Sequence, residues 1–443
     1  MKVLIVDMTH GGIKIALEFL KNDKNKVYAY DIYKTLKKQD KKLLQDKGLV
    51  FVNEVISDKD TLVISPVHCI VNQENQISHH KAVGLLLKDR IKCPIIEVTG
   101  VKGKTSVVHM LKEILKEFNP LILTSLGIEV IENGQNYVLD ENISITPANI
   151  IKAWELAQNY QIGIYILESS LGGTGLADVG VLTNLAENYP ISQGTKTASQ
   201  AKTQIFKSKL VACDYTAFKS YYSDFSDKTI TFGLENSDKV KVSPLNINLG
   251  LNETHFKVKV NNLKTINGNL ITTKFNVSTF APAKHHLNNV LSAICASLIL
   301  EVPIEIIKKG LNNYKGIKGR TSIIIKDGAT IIEEINPGIN VKAVEKSFDI
   351  INNYEDCAVI FGGKYGVTCE EIDEDKAAKF LSNTKNEVKL ILTDELGKNI
   401  MTKISRKVDY KINIEDALNF AIELGYKNIL LIYRSNYADI NKR

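Results

Sequence analysis

The chain has 443 residues, 44% of them hydrophobic and 24% charged, with a formal net charge of +6. That length exceeds one ordinary domain and predicts about three, and the composition is that of a folded globular protein, not a disordered one. No apolar stretch is long enough to span a bilayer, which excludes a helical membrane protein. The charge is uneven: residues 1–92 hold 16 Lys+Arg against 11 Asp+Glu, so +5 of the +6 lies there. A basic segment of that kind suits an anionic small-molecule substrate. Nucleic acid is not expected, because aromatic residues are not interleaved with the basic ones. The six cysteines (69, 93, 213, 295, 357 and 369) form no Cys-x-x-Cys pair, the usage of reduced thiols in a cytoplasmic protein.

In chain order, residues 2–6 (Lys2-Val3-Leu4-Ile5-Val6) read as a short buried strand, with acid following at once and no cleavage site, so not as a signal peptide. A helix is predicted over 13–20 and strands over 27–30, 49–52 and 62–64, a small Rossmann-like unit. Its first turn, Asp7-Met8-Thr9-His10-Gly11-Gly12, ends in paired glycines before a helix, which suit a phosphate or carboxylate at the helix start. The full dinucleotide fingerprint is absent. His10, Gly11 and Gly12 are therefore the candidate substrate residues, with the His79-His80 pair as further candidates for contact with substrate carboxylates or an apolar ring.

The strongest signal follows at Ile95-Ile96-Glu97-Val98-Thr99-Gly100-Val101-Lys102-Gly103-Lys104-Thr105-Ser106. An apolar strand runs into a glycine loop, then Lys-Thr-Ser, then a predicted helix over 107–118. Such a unit aims backbone N–H groups and a helix N-terminus at an anion. Lys104 is expected along the β- and γ-phosphates and the Thr105 hydroxyl on Mg²⁺. The loop is the compact Thr-Gly-x-x-Gly-Lys-Thr-Ser form: five residues before Gly103 stands Val98, not glycine. A strand over 165–170 ends at Glu168, a second candidate Mg²⁺ carboxylate, and is followed by Gly172-Gly173-Thr174-Gly175. Another strand, 179–183, ends at Asn184. Residues 229–280 read as antiparallel strands, and a helix is expected over 290–300, opened by Lys284 to Asn289. From 318 the βαβ rhythm restarts, with strands over 322–325, 330–333, 358–361, 389–393 and 429–432. The expected domains are 1–92, 93–317 and 318–443, with a hinge around Gly316–Gly319.

These residues resemble the Mur ligase superfamily, ATP-dependent enzymes that activate a carboxylate as an acyl phosphate. The segment Thr99 to Ser106 is similar to the family P-loop, so Gly100, Lys102, Gly103, Lys104, Thr105 and Ser106 are expected around ATP. Glu168-Ser169-Ser170 is similar to the family's Glu-x-Ser-Ser, whose glutamate supports catalytic Mg²⁺, and Leu182-Thr183-Asn184-Leu185 matches its Thr-Asn strand end. Ala201-Lys202-Thr203-Gln204-Ile205-Phe206 resembles the Ala-Lys-x-x-Ile-Phe segment, which implies a carbamylated lysine at Lys202. His285 to Asn289 resembles the His-Asn-x-x-Asn helix start, which places Asn289 toward adenine. Gly319-Arg320 matches the Gly-Arg opening the C-terminal domain, and Glu333-Glu334 stands where the family has acids near the ribose. The resemblance implies an α/β protein of three domains: a Rossmann-like N-terminal domain, a P-loop ATPase and a Rossmann-like C-terminal domain.

Two departures narrow the chemistry. Asn188-Tyr189 stands where members often carry Asp-His, and the stretch after Glu334 lacks the Tyr-Ala-His-Asn-Pro of peptide-adding members. The turn 6–12, the segment Tyr30-Asp31-Ile32-Tyr33 and the run 185–190 are similar to an archaeal branch that works in nickel tetrapyrrole assembly. That likeness implies a nickel tetrapyrrole acid as substrate and intramolecular attack by a carbon of the same macrocycle. The alternative is amide formation with an amino acid on a cell-wall or folate-like acceptor. A third reading is a catalytically quiet nucleotide-binding protein on the same scaffold.

Overall fold

The computed structural model describes residues 1–56, 58–69, 71, 73–141, 143–318, 321–335, 339–351, 356–366, 371–385 and 387–435. The chain divides into two compact units, one of 1–246, 257–277 and 288–311, the other of 247–256, 278–287 and 312–443.

In the first unit, strands β1 (Lys2–Val6), β2 (Lys26–Tyr30), β3 (Val50–Val52), β4 (Thr61–Ser65) and β5 (Gln76–Ser78) form a parallel sheet of order β3-β2-β1-β4-β5. Helices α1 (Ile13–Leu20), α2 (Lys38–Asp46) and α3 (His79–Leu87) connect or follow them. The predicted elements are where the apolar runs placed them. What the sequence reading omits are helices α2 and α3 and β5, a three-residue strand too short to show a period.

The second sheet has eleven strands. They are β6 (Ile95–Thr99), β7 (Pro120–Thr124), β8 (Gly127–Glu132), β9 (Gln135–Glu141), β10 (Ile164–Glu168) and β11 (Val179–Leu182), with β14 (Leu210–Asp214), β15 (Thr229–Phe232), β16 (Val242–Asn248), β17 (Thr254–Lys264) and β18 (Leu270–Thr279). Two short strands, β12 (Pro190–Ile191) and β13 (Lys196–Thr197), pair apart from it. The order is β18-β17-β16-β15-β14-β11-β6-β10-β7-β8-β9. Thus β6 lies between β10 and β11, parallel to both. All residues of β6, β10 and β11 are buried, as strands covered on both faces must be. The expectation of antiparallel strands from residue 229 needs correcting: β15 pairs with β14 in parallel and meets β16 in parallel at Phe232 and Val242. β-branched composition specifies a strand but carries no direction.

Helix α4 (Lys104–Leu115) follows β6, α5 (Ala148–Leu156) precedes β10, and α6 (Ala198–Lys202) follows β13. One apolar cluster runs from Val3, Ile5, Ile15, Val83 and Leu87 to Ile95, Leu121, Ala148, Ile151 and Leu167. The five-stranded sheet and the β6 side of the large sheet therefore share a core, with Arg90 and Glu18 paired and Lys14 and Glu155 paired at its rim.

The second unit holds a sheet of order β19-β20-β24-β21-β22-β23, built from β19 (Thr321–Lys326), β20 (Ala329–Ile335), β21 (Cys357–Gly363), β22 (Lys389–Thr393), β23 (Asp409–Lys411) and β24 (Asn428–Arg434). All neighbours are parallel except β19 and β20, which make a hairpin. Among the described residues no helix is long and apolar enough to cross a membrane, and Cys69, Cys93, Cys213, Cys295 and Cys357 are free thiols. Cys369 lies outside the described residues.

Candidate active site

The parallel strands β11, β6 and β10 end side by side, so three loops meet at one edge, where open α/β sheets bind ligands. From β6 the chain turns through Gly100 (φ 145°) and Gly103 (φ 83°) into α4. A Cβ at Gly100 would run into the Thr183 hydroxyl, and one at Gly103 into the Asn289 carboxamide. Both positions therefore need glycine for space as well as for φ. The β11 end braces the loop: Thr183 Oγ1 donates to the Lys102 carbonyl (2.6 Å), Asn184 Nδ2 to the same oxygen (2.9 Å), and Val101 N–H to the Asn184 carbonyl (3.1 Å). Lys104 Nζ reaches back over the loop to the Gly100 carbonyl at 3.4 Å.

Thr105 Oγ1 donates to Glu168 Oε2 at 2.9 Å, both buried, and Ser125 N–H donates to the same oxygen. The two residues expected on Mg²⁺ thus come together from different strands. A hydroxyl and a carboxylate are the hard oxygen donors Mg²⁺ takes. Lys202, at the end of α6, is 1% exposed. Burial, and next the Lys104 ammonium, push it down from 10.5 to about 7. Two lysines close enough to repel, beside a loop of N–H donors, make a site that an anion of several charges fits, as a triphosphate does. Helix α6 is held by a Thr197–Gln200 capping box and by Asn188, whose side-chain oxygen accepts from Ser199 N–H (2.9 Å). The departure at Asn188 therefore has a use here: it fixes the helix that carries Lys202.

The remaining nucleotide-side expectations divide. Asn289 is brought to the P-loop itself, against Gly103. Lys102 and Ser106 sit on the loop and the first turn of α4. Arg320 lies outside the described residues. Glu334, in the second unit, accepts from Thr321 Oγ1 (2.7 Å), which in turn lies 3.1 Å from His286 Nε2. Burial pushes Glu334 up to about 7.

Glu97 was not among the sequence candidates. It is fully buried in the middle of β6, pushed up to about 7 by burial, and accepts from Thr174 N–H (2.7 Å) and the Thr174 hydroxyl. It pins the glycine loop after Glu168. Its signal was an acid inside the run Ile-Ile-Glu-Val-Thr, which an apolar strand tolerates only with a fixed partner.

The residues expected on the substrate side lie at the end of β1. A cavity of about 490 Å³ is lined by His10, Tyr33, Pro66, Val67, His68, His79, His80, Thr146, Pro147, Ser170 and Leu171. Ser170 is two residues past Glu168, so its Cα lies within about 7.6 Å of that of the Mg²⁺-side carboxylate. Asp7, fully buried at φ 73°, accepts backbone N–H groups from Thr9 and His10 on Oδ1 and lies 2.6 Å from His10 Nδ1 through Oδ2. The His68 ring packs edge-on against His10 at 4.7 Å, and burial lowers its pKa. A second, larger cavity of about 1040 Å³ borders the same Pro66–Val67 turn and is lined by Gln73, Gln76, Gln200, Gln204 and Lys196 among others.

Two expectations need correction here. His79 and His80 line the cavity but are not cations for substrate carboxylates: burial drops both to about 4. His79 Nε2 pairs with the Val6 carbonyl (3.2 Å) and His80 Nε2 with the Ser170 carbonyl (2.7 Å), so they tie α3 to β1 and to the loop after β10. The smaller cavity does not carry the basic charge of residues 1–92, since among the described residues no Lys or Arg lines it. Several of those cations are in ion pairs instead, among them Lys2 with Asp58, Lys14 with Glu155, Lys41 with Asp31 and Arg90 with Glu18. Gly11 and Gly12 are closely packed: a Cβ at Gly11 would strike Ala148 of α5, and one at Gly12 the Asp7 carbonyl.

Residues 98–297 match the Mur ligase middle domain, and residues 323–436 match the C-terminal domain of coenzyme F430 synthetase CfbE. The chain is 27% identical to the coenzyme F(430) synthetase of Methanosarcina acetivorans, with 97% of each chain covered. It is 27% identical to that of Methanocaldococcus jannaschii, over 91% of this chain and 93% of the relative. Among solved structures, a UDP-N-acetylmuramoyl-L-alanyl-D-glutamate--2,6-diaminopimelate ligase superposes with a TM-score of 0.63 at 14% identity, covering 93% of this chain and 86% of that one.

Proposed function

We propose that this chain, which belongs to the Mur ligase superfamily and is an ATP-dependent ligase, closes a ring on a nickel tetrapyrrole acid, as a coenzyme F430 synthetase. The observation that carries this reading is the full-length likeness to two such synthetases, joined by a C-terminal segment that matches their own domain type. A carboxylate does not acylate carbon, because oxide is a poor leaving group. Transfer of the γ-phosphoryl group makes an acyl phosphate, whose leaving group is phosphate. A carbon of the same macrocycle then displaces it, with loss of one water overall and release of ADP and phosphate.

This chain's residues suit the first half-reaction. Loop N–H groups and Lys104 offset the charge of the triphosphate as a second anion, the carboxylate, approaches. Thr105 and Glu168 would hold Mg²⁺, which would supply positive charge to offset the negative charge developing on the phosphates. Lys202 near pH 7 has a neutral fraction, and only a neutral amine adds CO₂. As a carbamate it would become an anion beside Lys104 and could align the metal. The cavities beside Ser170 and Gln204 would take the macrocycle, with His10 at the wall. Arg320, Asn289 and Glu334 remain the residues proposed for the nucleotide's phosphate, base and ribose.

The test is a turnover assay on the full chain with ATP, Mg²⁺ and the tetrapyrrole acid, with and without amino acids. The reading expects a product one water lighter, no amine consumed, and a shift in visible absorbance as the new ring ketone joins the chromophore. Turnover only with an amino acid, and none with the tetrapyrrole acid, would replace it with the amide-ligase alternative.

A further inference from the structure

Two features of the first unit are not used by phosphoryl transfer: the buried Asp7 and the imidazole it holds. Asp7 ends β1 in a left-handed conformation that non-glycine residues adopt at a cost. Leu171, which lines the cavity, does the same at φ 56°. Strain at a lining residue and behind the lining His10 marks a place where geometry is held against local preference. The Asp7 carboxylate is fully buried and spends one oxygen on two backbone N–H groups, so its position is fixed. Its other oxygen meets His10 Nδ1 at 2.6 Å. A carboxylate only accepts, so Nδ1 carries the hydrogen, and in the neutral imidazole the lone pair is then on Nε2. The His10 side chain is 46% exposed and lines the cavity.

The surroundings keep that ring in place. His68 packs edge-on against it at 4.7 Å, and the Tyr33 ring at 5.8 Å. Tyr33 is itself held by Cys69, 3.3 Å from its hydroxyl. His68 Nε2 is 3.8 Å from Asp7, too far for a hydrogen bond, and does not compete for the carboxylate. An Asp–His pair that lines a cavity, its outer nitrogen without a hydrogen bond among the described residues, is the arrangement by which a buried carboxylate sets the tautomer of a general base.

We infer that His10, oriented by Asp7, is the general base that removes the proton from the carbon nucleophile in the ring-closing step. The inference rests on the reading under Proposed function. The C–H electron pair forms the new C–C bond to the acyl carbon. The acyl C–O bond to phosphate breaks, and phosphate leaves with that pair. The proton goes to His10 Nε2 and then to solvent, and no electron donor or acceptor is needed. His10 is the catalytic residue of this step and Asp7 its positioning residue.

The experiment separates the two half-reactions with hydroxylamine, which traps an acyl phosphate as its hydroxamate. The full chain is given ATP, Mg²⁺ and the tetrapyrrole acid, as wild type, His10→Ala, His10→Gln and Asp7→Asn. Hydroxamate should form in all four within a few-fold, while ring-closed product falls by ~10²–10⁴ in the variants. Added imidazole should restore part of the His10→Ala loss. Product from His10→Ala within a few-fold of wild type overturns the assignment. So does a parallel fall of hydroxamate and product in both His10→Gln and Asp7→Asn, which would make the pair a binding or folding element. If wild type makes neither hydroxamate nor product from the tetrapyrrole acid, the ring-closure function itself fails, and this inference with it.

Discussion

The ends of β6 and β1 are the same kind of place, a parallel strand turning into a helix, yet they are built in different ways. At β6 the turn is made by glycines with no room for a Cβ, and the working groups are the backbone and one lysine. At β1 the glycines are used up in packing against Ala148 and the Asp7 carbonyl, and the group proposed to work is a side chain, His10, held by one buried carboxylate. A phosphate is the same ligand in every such enzyme, so a backbone cradle serves it. A particular organic substrate needs chemistry that a backbone does not supply.

The contrast can be broken most severely at the loop lysine. Lys104→Ala should lower the rate of ADP formation by ~10²–10³ with the fold intact. Near-normal turnover with unchanged nucleotide affinity would remove the phosphate side of the comparison. Lys202→Ala should cost about tenfold to 10² in turnover, with partial rescue by small carboxylates. Bicarbonate should activate wild type at and above pH about 7, where the buried amine loses its proton. The activation should fade as pH falls below that value, because an ammonium has no lone pair. Activity indifferent to bicarbonate across that range would count against the carbamate.

Stability sharpens the same contrast. Glu97→Ala leaves the buried Thr174 N–H without its acceptor and should cost about 1–3 kcal/mol in urea unfolding. In wild type Glu97 is raised from 4.5 to about 7, so the unfolded chain ionises first as pH rises. Its contribution is therefore complete below pH 4.5 and is lost by about 7, and Glu97→Gln should flatten that slope. A glycine pair gives a smaller effect. Gly11→Ala meets Ala148 at φ 96°, whereas Gly134→Ala at φ 80° meets nothing within 4 Å. The first should lose about 1–3 kcal/mol and the second only about 1 kcal/mol. Equal losses would show that φ alone, not the packing on α5, requires Gly11. The smallest effect concerns salt: among the described residues no Lys or Arg lines the His10 cavity and one lysine, Lys196, lines the larger one, so tetrapyrrole binding should weaken only slightly across physiological ionic strength. A steep dependence would restore the basic segment as the substrate's attractor.

How far the sequence could be read follows from the same distinction. Thr105 and Glu168 were legible because each sits at a fixed offset from a strand end in a local motif. Lys202 was legible only through resemblance, since nothing local shows that α6 folds back to Lys104. The His10 cavity needs β1, the 66–68 turn, α3 and the 170–171 loop together, and no local spacing encodes that meeting. His79 and His80 read as contacts for substrate carboxylates because their burial comes from packing that no local spacing shows. The direction of β15 was lost for the same reason: pairing is a property of partners, not of a strand's own residues.

The apolar cluster that runs from Val3 to Leu167 has a consequence for anyone who would treat this protein as a kit of parts. A chain cut after residue 92 would strip Val83 and Leu87 of part of their cover and leave Ile151 and Leu167 facing water on the other piece. Neither fragment would inherit a finished interior. Grafting the first ninety residues onto another ligase would therefore fail unless the matching face of α5 and β10 went with them. Here substrate choice is inherited jointly by two sheets, and it would have to be redesigned jointly.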